Sequence, residues 1–208
     1  MSYKFIVNLK RKSYNVFRNI TTIRAHRHII ERFIDKVGMI YFGSVNQNND
    51  DHRLIRGFTA SSTHKDNHFS VGTVDGYDVS IVDRCDVYLN RDNKTEFNNW
   101  LIVSIDLKNG RDIPHVFIKA NNQEDRSYEP LFIACPTFSK INLGTFEQYP
   151  TDFISRFNVY SMPEDTIETE KLLPADSMKI LRAHLWPYSV EIIDGVLYIY
   201  SDDKNITH

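Results

Sequence analysis

Phe69-Ser-Val-Gly-Thr-Val-Asp-Gly-Tyr-Asp-Val-Ser-Ile-Val-Asp83 decides the fold class of this chain. Asp75-Gly76 is the two-residue signal of a tight type I′ hairpin, because both central residues must adopt positive φ. With that turn fixed, Val74 faces Tyr77, Gly72 faces Val79 and Ser70 faces Ile81, while Thr73 and Asp78 meet on the opposite side. The pattern is that of a half-buried antiparallel pair.

Working outward, the same logic recurs. Residues 100–107 place Leu101, Val103, Ile105 and Leu107 on one face. Asn109-Gly110 then signals a turn, and residues 113–120 return as a strand. Residues 39–45 and 52–60 read as further strands, separated by polar loops at 46–51, 61–67 and 86–99. Residues 131–135 read as a short buried strand ended by Pro136. Before the strands, residues 22–37 read as an amphipathic helix. Ile23, Ile30, Phe33, Ile34 and Val37 share one face, and Gly38 stands where a C-terminal glycine cap belongs.

Residues 153–160 predict a strand and 163–171 an acidic linker. Pro174 opens a short helix with Met178, Leu181 and Leu185 inward, which Pro187 ends. A second turn signal, Asp194-Gly195, pairs Ile192 with Leu197 and Val190 with Ile199 on an apolar face. Glu191 meets Tyr198 on the other. No strand–helix alternation of the parallel α/β kind is present. The expectation is one α+β domain over 1–208. It comprises a basic arm (1–21), a helix (22–37), antiparallel strands joined as a meander and hairpins (39–120) and a strand–helix–hairpin block (131–200). The N-terminal amphipathic helix and the short C-terminal helix pack on one side of the sheet.

The block Phe153-Ile-Ser-Arg-Phe-Asn-Val-Tyr-Ser, followed by Leu172-Leu173-Pro174 and the closing Leu197-Tyr198-Ile199-Tyr200, resembles an uncharacterised family of bacterial proteins. Gly76-Tyr-Asp-Val-Ser-Ile-Val-Asp83 resembles that family's Gly-x6-Asp strand, and residues 100–107 and 114–117 resemble its next two. The resemblance spans about residues 70–200. It implies a domain of unknown function, found in that family after transmembrane segments, and it implies no catalytic residues.

Composition excludes several classes. The chain has 208 residues, 41% hydrophobic and 25% charged, which is enough for a core. No apolar run approaches the roughly 20 residues of a membrane helix. The N-terminus has no signal-peptide pattern, so a cytoplasmic location is expected. Cys85 and Cys135 lie far apart and read as reduced thiols. Charge is unevenly divided. Residues 1–36 carry nine Lys/Arg against two acids, a balance of +7, and the remainder carries 16 against 25, a balance of −9.

This split gives the sequence its one functional slope. Lys10, Arg11, Lys12, Arg18, Arg24, Arg27 and Arg32 are candidates for contact with an anionic partner, whether nucleic acid or a charged surface, or for docking onto the chain's own acidic body. Metal and catalytic signatures are weak. His26 and His28 stand about 200° apart on a helix. His64 and His68 flank a polar loop, and His115 reads as a half-exposed strand residue. The adjacent carboxylates Asp50-Asp51 and Asp202-Asp203 read as solvated charge rather than a pair facing across a cleft. There is no nucleophile elbow, and Gly72 and Gly76 belong to a hairpin rather than a phosphate loop. The sequence therefore points to a non-catalytic binding or interaction domain whose partner is a protein or an anionic surface, with no cofactor implied. Sequence-tolerant nucleic-acid binding through the basic arm is the alternative. A hydrolase with a dispersed site is a weaker one. Strands around residues 39–60 would form a sheet edge suited to homo-oligomerisation.

Overall fold

Two Asp-Gly turns anchor the architecture. Asp75 and Gly76 lie at φ +50° and +84°, and Asp194 and Gly195 at +52° and +75°. Each turn thus has the two positive-φ residues that match the right-handed twist of its flanking strands. The computed structural model describes residues 27–28, 30–47, 63–89, 93–108, 113–122, 128–144 and 149–202. The strand expected at 52–60, the turn at 109–110 and the first part of the helix, 22–26, lie outside the described residues.

Among the described residues nine strands form one antiparallel sheet: β1 (Ile40–Gln47), β2 (Thr63–Val74), β3 (Tyr77–Leu89), β4 (Thr95–Asp106), β5 (Val116–Ala120), β6 (Ser139–Lys140), β7 (Phe157–Ser161), β8 (Ser189–Ile193) and β9 (Val196–Asp202). Their order across the sheet is β1-β2-β3-β4-β9-β8-β5-β7-β6. Helix α1 comprises residues 27–28 and 30–37 of those described. The others are α2 (Glu129–Ala134), α3 (Thr151–Arg156), α4 (Thr166–Leu172) and α5 (Ala175–Ile180). The fold is α+β with a large antiparallel sheet and a few short helices.

Both hairpin registers agree with the sequence reading: Gly72 opposite Val79 and Ser70 opposite Ile81 in one, Ile192 opposite Leu197 and Glu191 opposite Tyr198 in the other. The meander breaks after β4, where the sequence expects residues 113–120 to return alongside it. Instead β9 pairs with β4, and β5 sits between β7 and β8. Turn signals fix local neighbours, whereas the β4–β9 seam is a long-range pairing that no local pattern encodes.

Four other expectations are corrected. Residues 131–134 belong to helix α2, with Cys135 as its C-cap, and not to a strand. Leu-Phe-Ile-Ala-Cys is apolar at every position, so its periodicity cannot distinguish the two, and a proline in the first turn suits a helix start. Residues 153–160 split into helix α3 and strand β7, with Phe153 and Phe157 four apart and their rings 5.1 Å from each other. The acidic linker 163–171 is a 3₁₀ turn (Pro163–Asp165) followed by α4, which buries Thr169 and Glu170. The polar loops expected at 61–67 and 86–99 are largely strand, making β2–β3–β4 a pair of long hairpins.

The sheet has two covered faces. On the back, α1 lays Ile30 and Ile34 against Val79 and Ile81. Gly38, at φ +72°, ends α1 with its N–H donating to the Ile34 carbonyl at 2.9 Å. Also on the back, Phe153, Leu173 and Met178 from the later helices close over Ile118, Val159 and Val190. On the front, α2 and the residue before it set Tyr128 and Leu131 over Val82, Trp100, Ile102, Phe117 and Tyr200. The two helices read from the sequence, α1 and α5, thus share the back face as expected, and it is α2, read as a strand, that covers the front and puts helices on both sides. That is why Glu191, on the face of β8 opposite the apolar one, is also fully buried. Among the described residues no helix is long and apolar enough to cross a membrane.

Candidate functional site

The front face divides into a half covered by α2 and a half left bare. In the covered half several buried polar side chains are matched to each other. Arg84 donates to Asp66 through Nε at 2.7 Å and Nη2 at 2.8 Å, and both side chains are fully buried. Burial pulls the Arg84 pKa down. The hydrogen bonds it donates to Asp66 and the fields of Asp66, Asp86 and Tyr200 more than reverse that, so the guanidinium is held charged. Nearby, the Tyr200 hydroxyl donates to Glu191 Oε2 at 2.5 Å, and His115 Nε2 lies 2.6 Å from Glu191 Oε1. Tyr128 donates to Ser189 Oγ at 2.8 Å, and that oxygen also accepts from the Ala120 N–H. Cys135 is a partly buried thiol whose pKa is raised by burial and by the charge of Glu191, the opposite of what a reactive thiolate needs.

A bulge makes this arrangement possible. His68 and Phe69 together oppose Val82, between the pairs Asn67–Asp83 and Ser70–Ile81. His68 takes φ +53° there. The extra residue shifts the alternation, so that Asp66 before it and Phe69 after it both face the front core. His68 is left to hydrogen bond with the Tyr41 hydroxyl at 2.9 Å.

The bare half is a groove across the ends of five strands, with a volume of about 510 Å³. Strand register orders its floor. One row runs Ile40, Val71, Ser80, Ser104, Tyr198 from β1 to β9. A second carries Thr73, Asp78, Asp106 and Val196. Ser80 and Ser104 hydroxyls are 2.5 Å apart, and Thr73 Oγ1 donates to Asp78 Oδ1 at 3.2 Å. Lys108 bridges the rim: its N–H donates to Asp106 Oδ1 at 2.8 Å and its ammonium lies 3.5 Å from Asp78. Gly72 closes the groove's underside because a Cβ there would meet Met39 Cγ at 2.9 Å. Its role is close packing. The arrangement offers hydroxyl and carboxylate oxygens with apolar walls on both sides, the mixture of a binding cleft.

The sequence candidates are placed less favourably. Lys10, Arg11, Lys12, Arg18 and Arg24 lie outside the described residues, as do His26, Asp50, Asp51 and Asp203. Arg27 is engaged by Glu31 at 2.7 Å. The hydrogen bond, then the Coulomb attraction, raises the Arg27 pKa, and the same hydrogen bond lowers that of Glu31. Arg32 is exposed on α1. His28 is exposed and 3.7 Å from Glu31. His64 and His68 lie on β2 rather than in a loop, with His68 itself in the bulge. His115 is mostly buried against Glu191 and Phe138. Among the described residues no group of three His, Cys, Asp or Glu is placed to hold a metal ion. The sequence reading passed over the groove, although the Thr73–Asp78 pair was legible from the hairpin. What was missing was the β4–β9 seam that brings Asp106, Val196 and Tyr198 beside it.

No protein-family model matches the chain, and no functionally curated protein matches it. Among solved structures it is similar to the crystal structure of the mycobacterial trehalose monomycolate transport factor A, TtfA. The TM-score is 0.53 at 11% identity, covering 84% of this chain and 80% of the other. At that identity the likeness is one of fold.

Proposed function

We propose that the protein is a non-catalytic binding or transport-associated domain whose ligand seats in the bare groove of the front face. The observation that carries this reading is the contrast in covering. α2 closes one half of the front face over matched polar pairs, and the other half keeps Ser80, Ser104, Asp78 and Asp106 in an open cleft. The fold shared with a protein titled a transport factor supports a binding role. Polar atoms in the cleft are hydroxyls and carboxylates, which can hold a ligand by hydrogen bonds. The two carboxylates also disfavour an anionic partner at this place. A protein or anionic-surface partner for the basic segment remains a separate contact of this domain, resting on Arg32 and on residues before 27.

The reading is tested by amide NMR with a fragment library on the full chain. Hits are expected to shift Val71, Ser80, Ser104 and Tyr198 and to be recovered chemically unchanged. Hits that cluster elsewhere, or that are converted to product, overturn it.

A further inference from the structure

The groove is not uniform, and its gradient selects a ligand class. From β1 to β9 it crosses five strands, roughly 19 Å at the usual strand spacing. Its middle is polar: Ser80 and Ser104 on one row, Asp78 and Asp106 on the next. Of the two serine hydroxyls at 2.5 Å, whichever donates leaves the other with a proton to offer. The carboxylates supply acceptors. Two carboxylates by themselves would suit a cation, but Lys108 sits 3.5 Å from Asp78 and already supplies the positive charge. What fits is a neutral group with several hydroxyls, each able to donate to a carboxylate and accept from a serine. On the β9 side Val196 and the Tyr198 ring make a wall, with Tyr198 itself stacked on Tyr200 at 6.3 Å.

The β1 side is different in kind. Val71 leads to Ile40, 63% exposed, and then to Phe42, 57% exposed, whose ring leans on Phe69 of the front core at 5.8 Å. Two large apolar side chains lie open on one strand, continuous with the polar floor. Exposed apolar area of this kind is stabilised when something apolar covers it.

We infer that the groove takes a neutral amphiphile, its polyhydroxylated head on Ser80, Ser104, Asp78 and Asp106 and its aliphatic tail along Val71, Ile40 and Phe42. This inference rests on the binding role proposed above and names its ligand class. The carboxylates reject an anionic head by repulsion, and the apolar strip distinguishes an amphiphile from a free sugar.

The test uses dodecyl maltoside below its critical micelle concentration, with maltose and dodecyl sulfate as comparators, titrated into the full chain and followed by amide NMR. Dodecyl maltoside is expected to shift Val71, Ser80, Ser104 and Tyr198, with both comparators at least tenfold weaker. Ile40→Asp and Asp106→Ala are each expected to weaken it at least fivefold, with thermal melting showing both variants folded. Maltose binding as well as the maltoside removes the tail from the site, and dodecyl sulfate binding as well removes the headgroup selection. Either result overturns the amphiphile while leaving a groove ligand in place. So does a silent maltoside if library fragments still map to the groove. Shifts outside the groove for every probe overturn both readings.

Discussion

The two halves of the front face are built on the same strands from the same residue types, yet they behave differently. Along β3, Asp78 and Ser80 belong to the bare half, and Arg84 and Asp86 to the covered half. Along β9, Val196 and Tyr198 line the groove, and Tyr200 lies fully buried under the core beside it. In the covered half desolvation penalises an unmatched charge, and Arg84 meets Asp66 in two hydrogen bonds while Glu191 meets both His115 and Tyr200. In the bare half Ser80 pairs with Ser104 and Asp78 with Thr73 and Lys108, but nothing packs above them, so these groups stand open to a ligand. A polar residue at an inward strand position is thus no mark of function by itself. What packs above it decides.

The contrast can be broken most sharply at the buried ion pair. Asp66→Ala leaves the Arg84 guanidinium in the core without its bidentate acceptor and is expected to cost about 3–5 kcal/mol, read by urea denaturation. A loss under about 1 kcal/mol would mean that water reaches Arg84 and the covered half is not dry. Gly72→Ala, where the new Cβ meets Met39, is expected to cost about 1–3 kcal/mol in the same measurement. Tyr200→Phe removes one donor from the buried Glu191 carboxylate at an expected cost of about 1.5–3 kcal/mol. Asp106→Asn, exposed at the groove, is expected to stay within about 0.5 kcal/mol of the parent. A larger loss would place the groove carboxylates among the structural pairs.

The smallest effect is on pH dependence. Burial, and then the positive field of Arg27, lowers the His68 pKa below its ordinary 6.5. As pH falls through about 6.5 the unfolded chain takes up this proton before the folded one does. The contribution is therefore complete above that pH and is lost progressively below it. His68→Asn, which tolerates the positive φ, is expected to flatten the fall of melting temperature on the acid side. An unchanged slope would assign it to other groups.

Much of the strand register was legible because type I′ turns and strict alternation are local. Asp75-Gly76 and Asp194-Gly195 each dictated their pairs residue by residue. The bulge at His68 was not legible, because it depends on fitting Phe69 under the front core, and the Asp66–Arg84 pair was hidden because Asp66 stood in what read as a polar loop. Of the site, only Thr73 opposite Asp78 could be read. The basic residues that drew attention instead include Arg27, which Glu31 engages on its own helix.

The sequence by itself determined the α+β class, two hairpin registers, the Ile30–Ile34 contact stripe of α1, though not the exposed Phe33 beside it, and the glycine cap that ends the helix. These follow from dihedral preference and side-chain periodicity, which act within a few residues. Only the tertiary structure decided that β9 joins β4, that α2 covers one half of the front face, and that the other half is a groove. Those features come from burying apolar surface between segments far apart in the chain, a choice among competing pairings that no local pattern can make.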